Sequence, residues 1–409
     1  MNARISDNTS GPSNGFSFGA LLSAGFRPFF LFAGFYGFAP ILAWLWSLLG
    51  DGGIPGEFVP AHWHGHEMIF GFVIAAATGF LLTAVPNWTN SPPFKGAPLA
   101  LMAAIWLLGR LAMWFGWPLG ALFVAVIDLT MIPTLGIFIA LRLIAHKVPQ
   151  NYVVLVILFI LFVANLMMHL ENLGVTLDTA GLGLQLAVYG VIFLVTMISG
   201  RVIPGFTGNA LRRQGINVYT ETPSTVTKAV VLCLALAVLS DLFGGDGEYG
   251  RAAAGVAAGL AAITLFIRMK NWKSLMVLSD PIVWVLHAGH FWLVVGFALL
   301  AAAHFSDGIE RDAGLHALTT GAIGTMVLAM MTRVGLGHSG REIKASRPIV
   351  VGYYMVIVGT VLRIVASLGQ NDLPGDGYSL LIGGAGFLWA GGYVVYLMVF
   401  WPVLTRPRI

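Results

Sequence analysis

The sequence predicts an all-α polytopic membrane protein of about twelve transmembrane helices, without a separate soluble domain. Three observations predict it. Of 409 residues, 57% are hydrophobic and 10% charged, and that charge is roughly 2.5 times below the share of a soluble domain. The apolar runs are long and continuous rather than alternating. In lipid, where only helices and closed barrels satisfy every backbone group, such runs select helices. Third, basic and acidic residues alternate from loop to loop along the chain.

The spans fall at roughly 26–49, 62–86, 97–116, 120–143, 151–172, 182–203, 226–243, 250–268, 282–303, 313–333, 347–368 and 378–403. Each suffices to cross a hydrocarbon core of about 30 Å. Arg142 and Lys147, then Arg212, Arg213 and Lys228, then Arg268, Lys270 and Lys273 occupy every second connection. Arg333, Arg341, Lys344 and Arg347 continue the series, and Arg406 with Arg408 ends it. The intervening connections carry Asp51, Glu57, Asp178, Asp246, Glu248, Asp307, Glu310, Asp312, Asp372 and Asp376. Basic loops mark the cytoplasmic side, so the expectation is a bacterial inner-membrane protein with both termini cytoplasmic. The net charge of +4 is then a topology signal, and no nucleic-acid footprint is present.

Residues 1–22, polar and rich in Gly, Ser and Asn, read as a disordered cytoplasmic tail rather than a signal peptide. Residues 23–409 read as a single transmembrane domain. Helix 2 ends in Val85-Pro-Asn-Trp-Thr89 and helix 6 in Ile203-Pro-Gly-Phe-Thr207, while Met197-Ile-Ser-Gly-Arg-Val202 resembles Met330-Met-Thr-Arg-Val334 of helix 10. Similar ends four helices apart suggest three four-helix units.

Ionisable groups inside a membrane are functional candidates by default. His62, His64 and His66 open helix 2 behind Pro60. Helical spacing puts His62 and His66 on one face, with His64 directed elsewhere beside Glu67 and Gly71. Three imidazoles in five residues point to metal or haem ligation; the competing reading is an interfacial polar cap. His169 sits near the periplasmic end of helix 5, after Asn165, and His316 opens helix 10 before the small-residue run Thr319–Gly324. Such a run admits a flat macrocycle or a neighbouring helix. His287 and His290 are adjacent on one face of helix 9, and interior hydrogen bonding explains them nearly as well as ligation. Arg110 and Arg363 fall toward the histidine-rich side, where a guanidinium can pair with haem propionates or snorkel to headgroups.

Soluble-enzyme signatures are lacking: there is no phosphate loop, serine elbow or Cys-x-x-Cys, and no pair of intramembrane carboxylates placed for acid–base work. Cys233 is the one cysteine, so neither a disulfide framework nor a thiolate cluster is available.

Several longer motifs resemble the NnrS family over nearly the whole chain. They are Phe26-Arg-Pro-Phe-Phe30, His64-Gly-His-Glu-Met68 with Thr78-Gly-Phe-Leu-Leu-Thr-Ala-Val-Pro-Asn-Trp88, Gly200-Arg-Val-Ile-Pro204, and Met331-Thr-Arg-Val-Gly-Leu-Gly-His-Ser-Gly-Arg341. The resemblance implies a membrane protein of the nitric oxide response that carries haem b and copper. A more distant similarity is to the catalytic subunit of haem-copper oxidases, twelve helices in three four-helix arcs with a haem between helices 2 and 10. That similarity implies His64 and His316 as haem ligands. It places Gln185 where a copper-ligating histidine would stand, and the paired histidines of helix 7 are absent. Copper would then fall to His62 and His66, with His169 or the pair His287 and His290.

The expected function is therefore binding or detoxification of nitric oxide, protecting against nitrosative stress. Any redox turnover would need electrons from a quinol or a periplasmic carrier, which no motif identifies. The rival is a transporter or metal/haem-delivery protein that uses the histidines as a cation path.

Overall fold

The computed structural model describes residues 16–50, 52–245, 247–370, 373 and 375–409. Asp51, Asp246 and Asp372, three of the acidic loop residues named above, lie outside the described residues, as do residues 1–15 of the expected tail. Residues 16–22 of that segment hold a short helix, Phe18–Leu21, whose N-cap Ser17 accepts from the Ala20 N–H at 3.2 Å.

Among the described residues there are twelve helices long and apolar enough to cross a membrane. In order they are helix 1 (Phe26–Leu49), 2 (Pro60–Thr89), 3 (Ala97–Phe115), 4 (Ala121–Ala145), 5 (Pro149–Asn172) and 6 (Ala180–Arg213). Then come 7 (Ser224–Phe243), 8 (Glu248–Trp272), 9 (Pro281–Phe305), 10 (Arg311–His338), 11 (Arg347–Leu368) and 12 (Gly377–Thr405). The chain is thus an all-α multi-pass membrane protein. Loop composition gives the bundle an acidic end, carrying Glu57, Asp178, Glu248 and Asp307, and a basic end, carrying Lys147, Arg213 and Lys273.

Two of the expected boundaries move. Helix 1 is interrupted at Gly37–Phe38. Helix 6 does not stop at Pro204 but runs on to Arg213. Pro204 removes one N–H, yet its carbonyl accepts from Thr220 Oγ1 at 2.9 Å and Thr207 Oγ1 donates to the Ile203 carbonyl at 2.8 Å. Side chains thus add hydrogen bonds to the carbonyls beside the proline, and membrane helices tolerate such a proline.

Helices 2, 6 and 10, each four apart in the chain, contact one another at the centre. Helices 2 and 10 are the most enclosed spans, 78% and 72% buried. Helix 12 packs back on helix 1 and closes the ring. The closure is reinforced by Arg27, 2% exposed, whose Nη1 donates to the carbonyls of Val403 (3.3 Å), Leu404 (3.0 Å) and Arg406 (2.6 Å). A guanidinium there satisfies orphan carbonyls and complements the negative end of the helix dipole. This is the structural task of the Phe26-Arg-Pro motif.

Helices 2 and 10 share a local irregularity that the sequence pattern did not announce. Directly after His66 the backbone widens into a π-helical stretch, Glu67–Val73. Directly after His316 it does the same over Ala317–Gly324. π-turns lose hydrogen-bond quality and are retained mostly at functional sites. Here two of them flank histidines on the two most buried helices.

Candidate functional site

Two adjoining sites open from this pair of helices toward the acidic end. The first is a cavity of about 490 Å³, within the range of small-molecule and cofactor sites. His64 of helix 2 and His316 of helix 10 line it, with Trp44, Met68, Leu184, Gln185, Arg311, Arg363, Tyr378 and Trp389 among its other walls. The His64 ring stacks on Trp44 with centroids 4.9 Å apart and planes inclined by 17°. Its Nδ1 is buried and has no hydrogen-bond partner among the described residues. His316 Nδ1 lies 2.8 Å from the Asp312 carbonyl, which fixes that nitrogen as the N–H donor and leaves Nε2 free as a ligand.

Two arginines stand at this cavity, each held by an aspartate. Arg311 Nη2 donates to Asp241 Oδ2 at 2.5 Å, and Arg363 Nη2 donates to Asp312 Oδ2 at 3.2 Å. Asp241 also accepts from Gln185 Nε2 at 2.6 Å and Tyr189 Oη at 2.5 Å, and lies 3.3 Å from His304 Nε2. Gln185, where the distant similarity would put a copper ligand, thus serves to place the carboxylate that orients Arg311. Arg311 was missed from sequence because it lies at a helix start, where arginine ordinarily faces headgroups.

The second site is a cluster of charged groups enclosed between helices 1 to 5. His66, Glu67, Arg110, Asp128, Asn165 and His169 are all at most 5% exposed. His66 Nδ1 lies 2.9 Å from Glu67 Oε1, and its Nε2 lies 3.1 Å from Asp128 Oδ2 and 2.9 Å from Asn165 Oδ1. His169 Nε2 is 2.9 Å from Asp128 Oδ2, which also accepts from Asn165 Nδ2 at 2.8 Å. Arg110 bridges the two carboxylates, donating to Glu67 Oε1 at 2.5 Å and to Asp128 Oδ1. Beyond Glu67, Tyr36 Oη donates to Oε2 and Trp114 Nε1 lies 3.0 Å from the same oxygen.

One ligand atom each from His66, Asp128 and His169 lies within 4.8 Å of the other two. Donors about 2.1 Å from a tetrahedral ion stand about 3.4 Å apart, close to the 3.1 and 2.9 Å that separate the imidazole nitrogens from Asp128 Oδ2. Charge points the same way. Two carboxylates against one guanidinium leave a formal charge of −1 when both imidazoles are neutral. Both ring nitrogens of His66 face oxygen acceptors only. A cation on Nε2, or a proton there, resolves both features. Glu67 behind His66 forms the carboxylate–histidine arrangement that orients metal-ligating imidazoles.

Several expectations change here. Arg110 does not line the histidine cavity; salt bridges to Glu67 and Asp128 hold it in the charge cluster. Glu67 accompanies His66 rather than His64. His62 joins neither group: its Nε2 lies alongside Gly181 of helix 6. His287 and His290 are near the basic end, away from both sites. His287 Nε2 is 2.9 Å from Thr207 Oγ1 and its Nδ1 2.9 Å from Ser274 Oγ, while His290 Nδ1 is 3.0 Å from Ser199 Oγ. Hydrogen bonding accounts for His287 in full. The sequence shows no pair of intramembrane carboxylates placed for acid–base work; the structure does bring Glu67 and Asp128 to either side of one guanidinium, as ion-pair partners. Asp128 was overlooked although its signal was plain: a carboxylate in the middle of the apolar run Val124-Ala-Val-Ile-Asp-Leu129, costly unless paired.

Compared with known families, residues 20–408 match the model described as NnrS protein. No curated protein matches the chain.

Proposed function

Because this chain belongs to the NnrS family, we propose that it is a membrane haem and copper protein that binds nitric oxide and removes it from the bilayer. The observation that carries this reading is the pairing of His64 and His316 on one cavity whose mouth bears Arg311 and Arg363. The donor set fits haem b. Two imidazoles approach from separate helices, one with an orphaned buried nitrogen and the other with its tautomer set by a backbone carbonyl. Arg311 and Arg363, which line the cavity, would pair with the propionates while sharing Asp241 and Asp312. Haem supplies the iron at which the gas binds.

The protein's own groups do the rest. Asp312 holds His316 in register through its carbonyl and Arg363 through its carboxylate. Trp44 limits the ring orientations open to His64. The apolar walls Leu184, Phe72 and Ile382 exclude water and admit an uncharged gas already concentrated in lipid. At the second site, His66, His169 and Asp128 would hold copper, which imidazole-rich sets favour, with Glu67 and Asn165 fixing the ligands. The enclosed position of both sites near the acidic end supports orientation toward the periplasm.

The test is a visible spectrum and metal analysis of the purified protein. We expect a Soret band that shifts on adding nitric oxide to the reduced protein, together with copper bound independently of the haem. Colourless protein devoid of iron would overturn the reading and favour cation transport through the histidines.

A further inference from the structure

A second large cavity, of about 860 Å³, lies toward the basic end between helices 5, 6 and 7. Its long wall is apolar and open to the membrane side: Val156 and Val231 on that wall are 57% and 52% exposed. Its inner end is cationic. Arg268, from helix 8, is 4% exposed and borders the cavity. Its Nη1 donates to the Thr196 carbonyl at 2.9 Å, and its Nε is buried without a hydrogen-bond partner among the described residues. The guanidinium lies against Gly200, where an added Cβ would sit 1.6 Å from Nη2. Only glycine permits that approach, which gives the Gly200-Arg-Val-Ile-Pro204 motif a task the haem reading does not use.

Two further guanidiniums, Arg201 and Arg212, stand on the rim. Among the described residues, the hydrogen bonds of all three end on uncharged oxygens: Arg201 on Asn151 Oδ1 at 2.9 Å and the Gln150 carbonyl at 3.5 Å, Arg212 on Asn209 Oδ1 at 2.5 Å, and Arg268 on Thr196. Glu221 is the one carboxylate on the cavity, and it is exposed. A buried guanidinium without a counter-ion is costly in a membrane protein, and a bound anion offsets that cost.

We propose that this slot binds an anionic phospholipid, its phosphate on Arg268 and the rim arginines and its acyl chains along Val156 and Val231. The apolar, membrane-facing wall selects a lipid over free phosphate. The uncompensated cation selects an anionic lipid over a zwitterionic one or an uncharged quinone. Basic pockets between helices on the positively charged side of a membrane protein are suited to such headgroups.

The experiment is native mass spectrometry of the delipidated full-length protein, titrated with phosphatidylglycerol and with phosphatidylcholine. Wild type should prefer phosphatidylglycerol at least about tenfold, roughly the effect of 1.4 kcal/mol, because the choline ammonium of phosphatidylcholine offsets its phosphate and leaves the guanidinium without a net counter-charge. Arg268→Gln and Gly200→Ala, which removes or displaces the guanidinium, should abolish the preference. Arg268→Lys should keep part of it, and Arg251→Gln, at the acidic end, should keep all of it. Equal affinity of wild type for both lipids, or a preference that survives Arg268→Gln, overturns the proposal. So does displacement of the lipid by millimolar inorganic phosphate or by a soluble quinone analogue.

Discussion

His64 and His66 are two residues apart on helix 2 and belong to different sites: His64 borders the cavity shared with His316, while His66 contacts Asp128, Asn165 and Glu67. A helix turn of 200° between them sends one toward helix 10 and the other toward helices 4 and 5. Substitutions should therefore separate the two cofactors. His64→Ala should change the Soret band or lower the haem content of the proposed haem cavity and leave copper in place. His66→Ala and His169→Ala should remove copper and keep the Soret band, and Glu67→Gln should weaken copper about 10–100-fold through the orientation of His66. Haem and metal content measured on the same preparations decides it. Parallel loss of both cofactors in every variant would mean a single site.

Arg110 has a different kind of weight. It is 5% exposed and holds apart two buried carboxylates. Removing one partner of a buried ion pair leaves an uncompensated charge and costs about 3–5 kcal/mol. Arg110→Ala should lower the thermal midpoint in detergent well beyond Arg251→Ala, whose partner Asp307 is 94% exposed at its side chain. Arg110→Lys should recover part of the loss, since lysine restores the charge without the fork that reaches both carboxylates. A melting curve of Arg110→Ala matching wild type would contradict the cluster's structural role.

Much of the fold was legible because membrane spans are set by length and apolarity, which a single sequence displays. The site was legible in part. His64, His66, His169 and His316 stand out in the sequence as imidazoles in apolar surroundings, and the structure sets them around the two candidate sites. What escaped was partnership. Asp128 and Arg110 lie on adjacent helices 18 residues apart, and no periodicity reveals that they meet each other beside His66 and Glu67. The π-turns after His66 and His316 escaped too, since a one-residue widening leaves no compositional mark. Arg110 was accordingly placed at the cavity, where the structure instead puts Arg311. The interior hydrogen bonds of His287 depend on Thr207 and Ser274 from distant segments, which spacing on one helix cannot anticipate.

Orientation in the membrane gives a further check. The acidic end carries both candidate sites, and the basic end carries Arg212, Arg213, Lys273 and the C-terminus. By the positive-inside rule, a reporter fused after Arg408 should read as cytoplasmic. The same reporter inserted in the exposed turn Ser306–Gly308 should read as periplasmic. Equal signals from the two positions would break the twelve-span topology, and reversed signals would place both sites on the cytoplasmic side.

The two cavity histidines should respond differently to nitric oxide. His316 is anchored: its Nδ1 is held by the Asp312 carbonyl at 2.8 Å, and it leads directly into the π-turn of helix 10. His64 makes no hydrogen bond among the described residues and is restrained by stacking on Trp44. A ligand without a hydrogen-bonded partner is the easier one to displace, because its orientation and basicity are less well fixed. When the gas binds, His64 should give way and His316 should stay. The reduced His64→Ala protein, reconstituted with haem, should therefore bind nitric oxide with a final spectrum close to that of wild type, and at least as fast. His316→Ala should give a final spectrum unlike wild type, or no haem at all. Swapped behaviour, with His316→Ala matching the wild-type end point, would make His64 the anchored ligand and show that the Asp312 contact does not hold the iron's permanent partner.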